Sequence, residues 1–550
     1  MNRLLTEKSE ATFIHEMEKI SPFELKDRLI ALADESIRKT MRTMLNAGRG
    51  NPNWVATLPR EAFFLVGEFG IEECRKNKIY GDDIAGTPQK RGIAERFSLF
   101  IEAKKSNAAT LLSECINYMT NEHNCDADDL VHEWVECAVG CQYPVPGRIL
   151  KHCETALRDY IATELCCGRP PQGEFDLFAT EGGTAAMCYI FDSLQQNYLL
   201  NNGDSIAVMT PIFTPYIEIP QLRRYKFNVT EIPACKMSDD GLHLWQYCEK
   251  DINKLRDTSY KALFIVNPSN PPSYAMDEKS IELLVDIVER WNPGLMIITD
   301  DVYATFVPGF QSLLARLPHN TLCVYSFSKL FGATGWRLAF VATHRDNIFD
   351  EKIKNLPRKR KGELQQRYGT IRHDVERMRF IDRMAADSRQ VALNHTAGLS
   401  LPQQLQMSLF ALYMLIDRQK ESKFGSCIND VIKRRLDALW NSMELPLPND
   451  SLRAGYYSEI DLMLWAKRIY GENFATYLRL NYSPLDIVYR LATETQLVVL
   501  NGGGFDGPEW SIRVSLANLH ENHYTTIGHC IRSIFDSYAE RWKKTLPVVE

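Results

Sequence analysis

Two hydrophobic textures divide this chain. Up to about residue 140, apolar residues recur at helical spacing, as in Phe23-Glu24-Leu25-Lys26-Asp27-Arg28-Leu29-Ile30-Ala31-Leu32-Ala33 and around Arg96-Phe97-Ser98-Leu99-Phe100-Ile101. Between these stretches, Gly48-Arg49-Gly50-Asn51-Pro52-Asn53-Trp54 is rich in turn formers and predicts an irregular loop. From about 175 to 345, short apolar runs recur instead: 176–180, 205–209, 262–266, 295–299, 322–325 and 338–341. Helical stretches such as 280–288 separate them. That alternation predicts crossover units and a largely parallel sheet covered on both faces. Residues about 346–395 are highly charged, with Pro357-Arg358-Lys359-Arg360-Lys361 and Glu376-Arg377-Met378-Arg379, and predict an inserted helical segment with a solvated face. After about 400, helix and strand signals mix without a parallel rhythm, as in a smaller α+β domain. The division expected is 1–140 as an N-terminal helical segment, 141–400 as a large domain carrying the insertion, and 401–550 as a small domain.

Composition narrows the class. The 550 residues are 45% hydrophobic and 24% charged, enough apolar material for two or three domains. A net charge of -6 argues against holding nucleic acid through phosphate contacts. The fourteen cysteines include no CxxC pair, which speaks against a metal site and predicts reduced thiols in a reducing compartment. Met1-Asn2-Arg3-Leu4-Leu5-Thr6-Glu7-Lys8 lacks the apolar run of a signal peptide, and no stretch approaches the roughly 20 residues that span a bilayer. A soluble, cytoplasmic protein without membrane or nucleic-acid partners is expected.

The chemistry gathers just after the predicted strands, where ligands bind in open α/β sheets. Lys329, in Ser326-Phe327-Ser328-Lys329, lies between two apolar runs. A buried lysine is expensive unless its charge is removed, and a Schiff base with an aldehyde cofactor removes it. Ser326 and Arg337 flank it and are suited to hold a phosphate. Glu181-Gly182-Gly183-Thr184 follows run 176–180; glycines opening a helix free N–H groups for an anion, although alone they equally make a tight turn. Asn267-Pro268-Ser269-Asn270-Pro271-Pro272-Ser273 follows run 262–266, and either presents an asparagine to a ligand oxygen or is only a rigid loop. Asp300-Asp301-Val302-Tyr303 follows run 295–299: a carboxylate that can keep a ring nitrogen protonated and a tyrosine in reach of a phenolic oxygen, or else a cap and a rim residue. Together they are the inventory that pyridoxal 5′-phosphate needs for its phosphate, ring oxygen, ring nitrogen and aldehyde. Gly502-Gly503-Gly504 lacks the lysine and hydroxyl of a P-loop and reads as a plain loop.

These motifs resemble the fold-type I pyridoxal-phosphate enzymes of the aspartate aminotransferase superfamily, from about residue 140 to the end. The resemblance implies an α/β fold: a mostly parallel seven-stranded sheet in a large domain, a smaller α+β domain to which the N-terminal helical extension contributes, and a charged helical insertion. It implies that Lys329 bonds the cofactor aldehyde, that Asp300 pairs with the pyridine nitrogen, and that Tyr303 and Asn270 contact the ring hydroxyl. Gly183, Thr184, Ser326 and Arg337 fall on the phosphate ligands, and Phe213 on the aromatic that stacks on the ring. Arg513, in Ser511-Ile512-Arg513-Val514-Ser515, falls on the arginine that grips the substrate α-carboxylate, beside Asn270. Tyr143, in Tyr143-Pro144-Val145-Pro146-Gly147, matches a tyrosine that reaches the neighbouring subunit's phosphate, which implies a homodimer with shared sites, assembled into a larger homo-oligomer.

Two departures stand out. Pro272-Ser273 replaces the usual glycine after the second Asn-Pro pair, and the chain is longer by its N-terminal region and charged insertion. Together with the Gly48–Trp54 segment, the extra length is similar to the aspartate 4-decarboxylase branch. That implies β-decarboxylation of L-aspartate to L-alanine and carbon dioxide, with side transamination. Arg49 is then expected at the site mouth, acting on the β-carboxylate or on closure, or else as a plain exposed loop residue. The alternatives are an aspartate or aromatic amino-acid aminotransferase and, from another class, a transcription regulator carrying such a domain. The last needs a basic DNA-binding module, and residues 1–50 show no clear one.

Overall fold

The computed structural model describes residues 17–546, apart from 19, 41–43, 82, 145–146, 390–397 and 421–422. The N-terminal octet, Val145-Pro146 and residues 390–395 of the charged segment lie outside the described residues. Seven strands make the central sheet: β1 (Phe175–Thr180), β2 (Ser205–Thr210), β3 (Asn228–Pro233), β4 (Tyr260–Val266), β5 (Met296–Asp300), β6 (Thr321–Ser326) and β7 (Ala339–His344). Their spatial order is β1-β7-β6-β5-β4-β2-β3. Every pairing is parallel except those of β7, which runs antiparallel to both β1 and β6. The segment from β6 to β7 holds only one short helical turn, Thr334–Trp336, so the chain returns antiparallel instead of crossing over.

Strands β1, β5, β6 and β7 are buried throughout, as apolar runs between two helical layers require. The edge strand β3 is mostly exposed or half-buried and polar, which is why no apolar run marks it. Helix α1 spans Pro22–Thr40; α2 (Gly183–Gln196) follows β1, and α3 (Glu278–Arg290) joins β4 to β5. The Asp277 side chain accepts from Ser280 N–H and caps α3, whose buried stripe Ile281, Leu284, Ile287 and Val288 packs with Leu263, Ile265 and Ile297 of the sheet.

The N-terminal region serves two masses. Leu45–Asn46 pairs in parallel with Leu497–Val498, and α1 joins the same core as the C-terminal helices. Helices Leu58–Lys76, Asn107–His123 and Ala127–Val139 share a core with helix α4 (Leu401–Gln419) and the central sheet. In the C-terminal part, β8 (Tyr457–Asp461), β9 (Leu500–Asn501) and β10 (Ser511–Ser515) form an antiparallel sheet with β10 in the middle.

The charged segment forms helices Ile348–Lys354, Arg358–Tyr368 and Phe380–Asp387. It has a buried face as well as a solvated one. Asp387, 2% exposed, accepts from Ser193 Oγ of α2 at 2.7 Å and from Tyr368 Oη at 2.8 Å, and pairs with Arg367.

The expectation of reduced thiols fails at one place: Cys235 and Cys248 are joined by a disulfide. Antiparallel bridging of Ala234 to Tyr247 brings the two within 5.9 Å at Cα, a non-local contact that spacing alone does not reveal. Among the described residues, no helix is long and apolar enough to cross a membrane.

Candidate active site

A cavity of about 310 Å³ opens beyond the carboxyl ends of β1, β4, β5 and β6. Gly183, Thr184, Phe213, Asn270, Asp300, Tyr303, Ser326, Lys329, Arg337 and Arg513 all line it. Tyr143 and Arg49 do not: Tyr143 lines a different cavity beside Lys151 and His152, and the Arg49 side chain is exposed.

One wall is built for an anion. Helix α2 begins without a side-chain cap, so the N–H groups of Gly183, Thr184 and Ala185 precede its first internal bond, Ala186 N–H to Gly182 O. Ser326 Oγ and Ser328 Oγ lie 2.9 Å apart on the facing side. Gly182 has φ +98°, and a Cβ there would lie 2.2 Å from Arg337 Nη2. Only glycine lets the guanidinium lie against the start of α2.

Across the cavity, Asp300 is 8% exposed. Its carboxylate accepts from Tyr216 Oη at 3.2 Å and from Val302 N–H at 3.3 Å. Burial outweighs these bonds and pushes the carboxyl up to about 6. Behind it, fully buried Asp301 is pushed up to about 7 by burial, against hydrogen bonds from Ser312, Thr299 and Cys323. Among the described residues no cation forms an ion pair with Asp300, although the Lys329 charge acts on it, and a protonated ring nitrogen would supply a direct partner.

The third wall joins the N-terminal loop to the small sheet. Lys329 is half-buried and donates to Gly50 O at 2.9 Å, and Tyr456 Oη donates to the same carbonyl at 2.8 Å. Arg513 is 1% exposed. It donates through Nη1 to Asn270 Oδ1 and through Nη2 to Gly48 O, both at 3.1 Å, while its Nε has no partner. Among the described residues no carboxylate pairs with it, so a buried cation faces the cavity without a counter-ion. Its guanidinium lies 4.1 Å over the Tyr457 ring and 5.0 Å over Phe505.

The departure at Pro272-Ser273 has a local explanation. Ser273 takes φ +62°, the left-handed conformation that glycine favours, and its Oγ and carbonyl hold the backbone N–H groups of Tyr457 and Ala454 at 2.9 and 2.8 Å. Hydrogen bonds to the neighbouring segment hold a serine where glycine is usual.

Several lining residues carry weaker sequence signals. Ser328 sits inside the Ser326–Lys329 motif, and Tyr216, which lies behind the wall against Asp300, is three residues from Phe213. Gly50 and Asn51 belong to the irregular loop. Tyr457 was visible only through strand pairing: Glu459 opposes Arg513, so Tyr457 is its diagonal neighbour on the same face. The triple glycine is more than a plain loop. A Cβ on Gly504 would lie 2.1 Å from Pro22, and Phe505 O accepts from Ile212 N–H, so this turn links α1, the small sheet and the cavity wall.

The profile of aminotransferase class I and II matches residues 176–527. The chain belongs to that family. It is 44% identical over 526 residues, 95% of this chain and 97% of the other, to the bifunctional aspartate aminotransferase and L-aspartate beta-decarboxylase of a Pseudomonas species. Its fold is that of a Thermus thermophilus aspartate aminotransferase single mutant (TM-score 0.57, 16% identity, 95% and 97% of the two chains) and of a Pyrococcus horikoshii aromatic aminotransferase (TM-score 0.55, 16% identity, 92% and 99%).

Family members depend on pyridoxal 5′-phosphate. The cavity fits that group by its donor set: the bare start of α2 beside Arg337 for a phosphate, a buried carboxyl in no ion pair among the described residues for a ring nitrogen, and an amine for an aldehyde. As the family implies, the sheet is mixed, mostly parallel and seven-stranded.

Proposed function

We propose that this protein removes the β-carboxylate of L-aspartate, giving L-alanine and carbon dioxide, with aspartate transamination as a second outcome at the same site. The observation that carries the reading is Arg513: a buried guanidinium with no carboxylate partner among the described residues, in one cavity with the Lys329 amine and the Asp300 carboxyl. The bifunctional Pseudomonas relative, matched over nearly its whole length, supports both outcomes.

Bound pyridoxal phosphate supplies an aldehyde that condenses with amines and a ring that takes up electrons released from substrate carbon. Lys329 anchors that aldehyde at rest. Its amine, when free, would take the proton from the substrate Cα and return protons later in the cycle. Asp300 keeps the ring nitrogen protonated, with Tyr216 fixing the carboxylate. Gly183, Thr184, Ser326, Ser328 and Arg337 hold the phosphate, Phe213 covers the ring face, and Tyr303 with Asn270 serves the ring hydroxyl. Arg513 grips the α-carboxylate, its second face backed by Tyr457.

The basic residues lining the cavity are Lys329, Arg337 and Arg513. The first and second have work at the aldehyde and phosphate, and the third takes the α-carboxylate. Among the described residues that line the cavity none is left to clamp the distal carboxylate, and a weakly paired carboxylate is poised to leave. Arg49 lies on the loop between the Gly48 and Gly50 carbonyls that hold Arg513 and Lys329. We assign it a role in closing that loop over the β-carboxylate. Unchanged turnover and partition in Arg49→Ala would refute the role.

Tyr143, exposed and outside its own chain's cavity, is assigned to the phosphate of a neighbouring subunit, in a homodimer that assembles further. The direct test is incubation with aspartate and no keto acid. Sustained release of alanine and carbon dioxide, lost in Lys329→Ala, is expected; turnover that requires a keto acceptor would mean a transaminase alone.

A further inference from the structure

The Tyr457 ring backs Arg513, but neither the cofactor's needs nor the substrate's carboxylate explains the Tyr457 hydroxyl. The residue is 3% exposed, and its hydroxyl lies 3.3 Å from Tyr303 Oη. Its ring lies under the Arg513 guanidinium. Gly50 packs so close that a Cβ there would be 2.8 Å from Tyr457 Oη and 3.0 Å from Lys329 Nζ, so phenol and amine flank one backbone atom. The groups facing the hydroxyl are the Lys329 amine, the Arg513 guanidinium and the phenols of Tyr303 and Tyr456. It therefore meets an amine, a guanidinium and two phenols that burial keeps neutral.

We propose that Tyr457 is the proton partner of Lys329, a positioning residue whose hydroxyl exchanges a proton with the lysine amine while its ring fixes Arg513. The step is balanced within the pair. An N–H bond of the ammonium breaks as the phenolate O–H forms, leaving the neutral amine that the chemistry needs, and the reverse transfer restores the ammonium. The electrostatics agree. Burial alone would raise the Tyr457 phenol, but Lys329 and Arg513 outweigh it and hold the phenol below its ordinary range. Tyr303, buried and facing Tyr457 itself, is pushed well above that range. Of the two touching phenols, the surroundings favour ionisation of Tyr457 and oppose that of Tyr303. Hydroxyl and ring have separable duties, since phenylalanine keeps the ring under Arg513 and loses only the proton.

The proposal rests on the assignment of Lys329 as the proton-handling amine, and its test is chosen to stand apart from substrate turnover. Titration of phenolate absorbance in the full-length, cofactor-free chain, wild type minus Tyr457→Phe, isolates this one hydroxyl. The expected midpoint lies below the ordinary tyrosine value of about 10, and it moves upward in Lys329→Ala. A midpoint at or above the ordinary value, or one indifferent to Lys329→Ala, overturns the proposal even if aspartate is decarboxylated. Conversely, the coupling can hold in an enzyme that only transaminates. In the holoenzyme, Tyr457→Phe should lower kcat about 10²-fold with little change in KM for aspartate, and Tyr457→Ala should raise KM as well. Equal kcat and an identical pH profile in wild type and Tyr457→Phe would also overturn it.

Discussion

Asp300 is held in the cavity against its electrostatic preference. Its folded value, about 6, lies above the unfolded value of 3.8, so ionising it opposes folding. That cost is absent below about pH 4, grows as pH rises through the window, and is complete above about pH 6, where it amounts to roughly 2–3 kcal/mol. Asp300→Asn should therefore stabilise the cofactor-free protein at neutral pH, with a gap over wild type in thermal melts that widens between about pH 4 and pH 7. It should also cost about 10²-fold or more in turnover, because the ring nitrogen loses its carboxylate. A gap independent of pH would contradict this account of Asp300. Arg513→Lys keeps the charge but loses the two-pronged grip, one charge-assisted bond of about 1.5–3 kcal/mol. A fall of roughly ten- to a hundredfold in kcat/KM for aspartate is expected from steady-state kinetics. At this scale the sequence was legible where a residue follows a strand: Lys329, Asp300, Tyr303 and Asn270 all line the cavity. Tyr457 and Tyr216 were not, because their roles depend on which strand or helix end faces them.

Among the elements, two glycines set how closely chain segments approach. Gly182→Ala would put a Cβ against the Arg337 guanidinium at a positive φ. It should weaken cofactor binding and cost about 1–3 kcal/mol of stability, read by equilibrium titration with pyridoxal phosphate and by thermal melts. Gly50→Ala should leave stability nearly intact yet cut turnover by about 10²-fold, since displacing Lys329 or Tyr457 by an ångström suffices. The buried strands could be read from their apolar runs, and observed ends differ from the predicted ones by only a few residues. The edge strand β3 could not, because a half-exposed strand has no such run. The Gly48–Trp54 loop was expected at the site mouth through Arg49, but its contacts through the Gly48 and Gly50 carbonyls could not be read, since composition does not encode backbone contacts.

The whole molecule binds these pieces through a crossing of the chain: the N-terminal segment pairs with the small sheet's region and sends Gly48 and Gly50 to Arg513 and Lys329. If Tyr143 serves a neighbour's phosphate, mixing inactive Tyr143→Phe and Lys329→Ala proteins should restore part of the activity, because hybrid dimers carry one intact site; no recovery after demonstrated subunit exchange would contradict shared sites. The assembly and the fate of the distal carboxylate were expected only through the family resemblance, carried by Tyr143 and by the extra length with the Gly48–Trp54 segment, because no residue pattern by itself encodes groups brought together from a distance. If the β-carboxylate is the group that leaves, aspartate labelled with carbon-13 only at its β-carboxyl carbon, incubated with the holoenzyme and no keto acid, yields by NMR labelled carbon dioxide and bicarbonate and unlabelled alanine. Label retained in the amino-acid product or in oxaloacetate, with none in carbon dioxide, would refute that assignment.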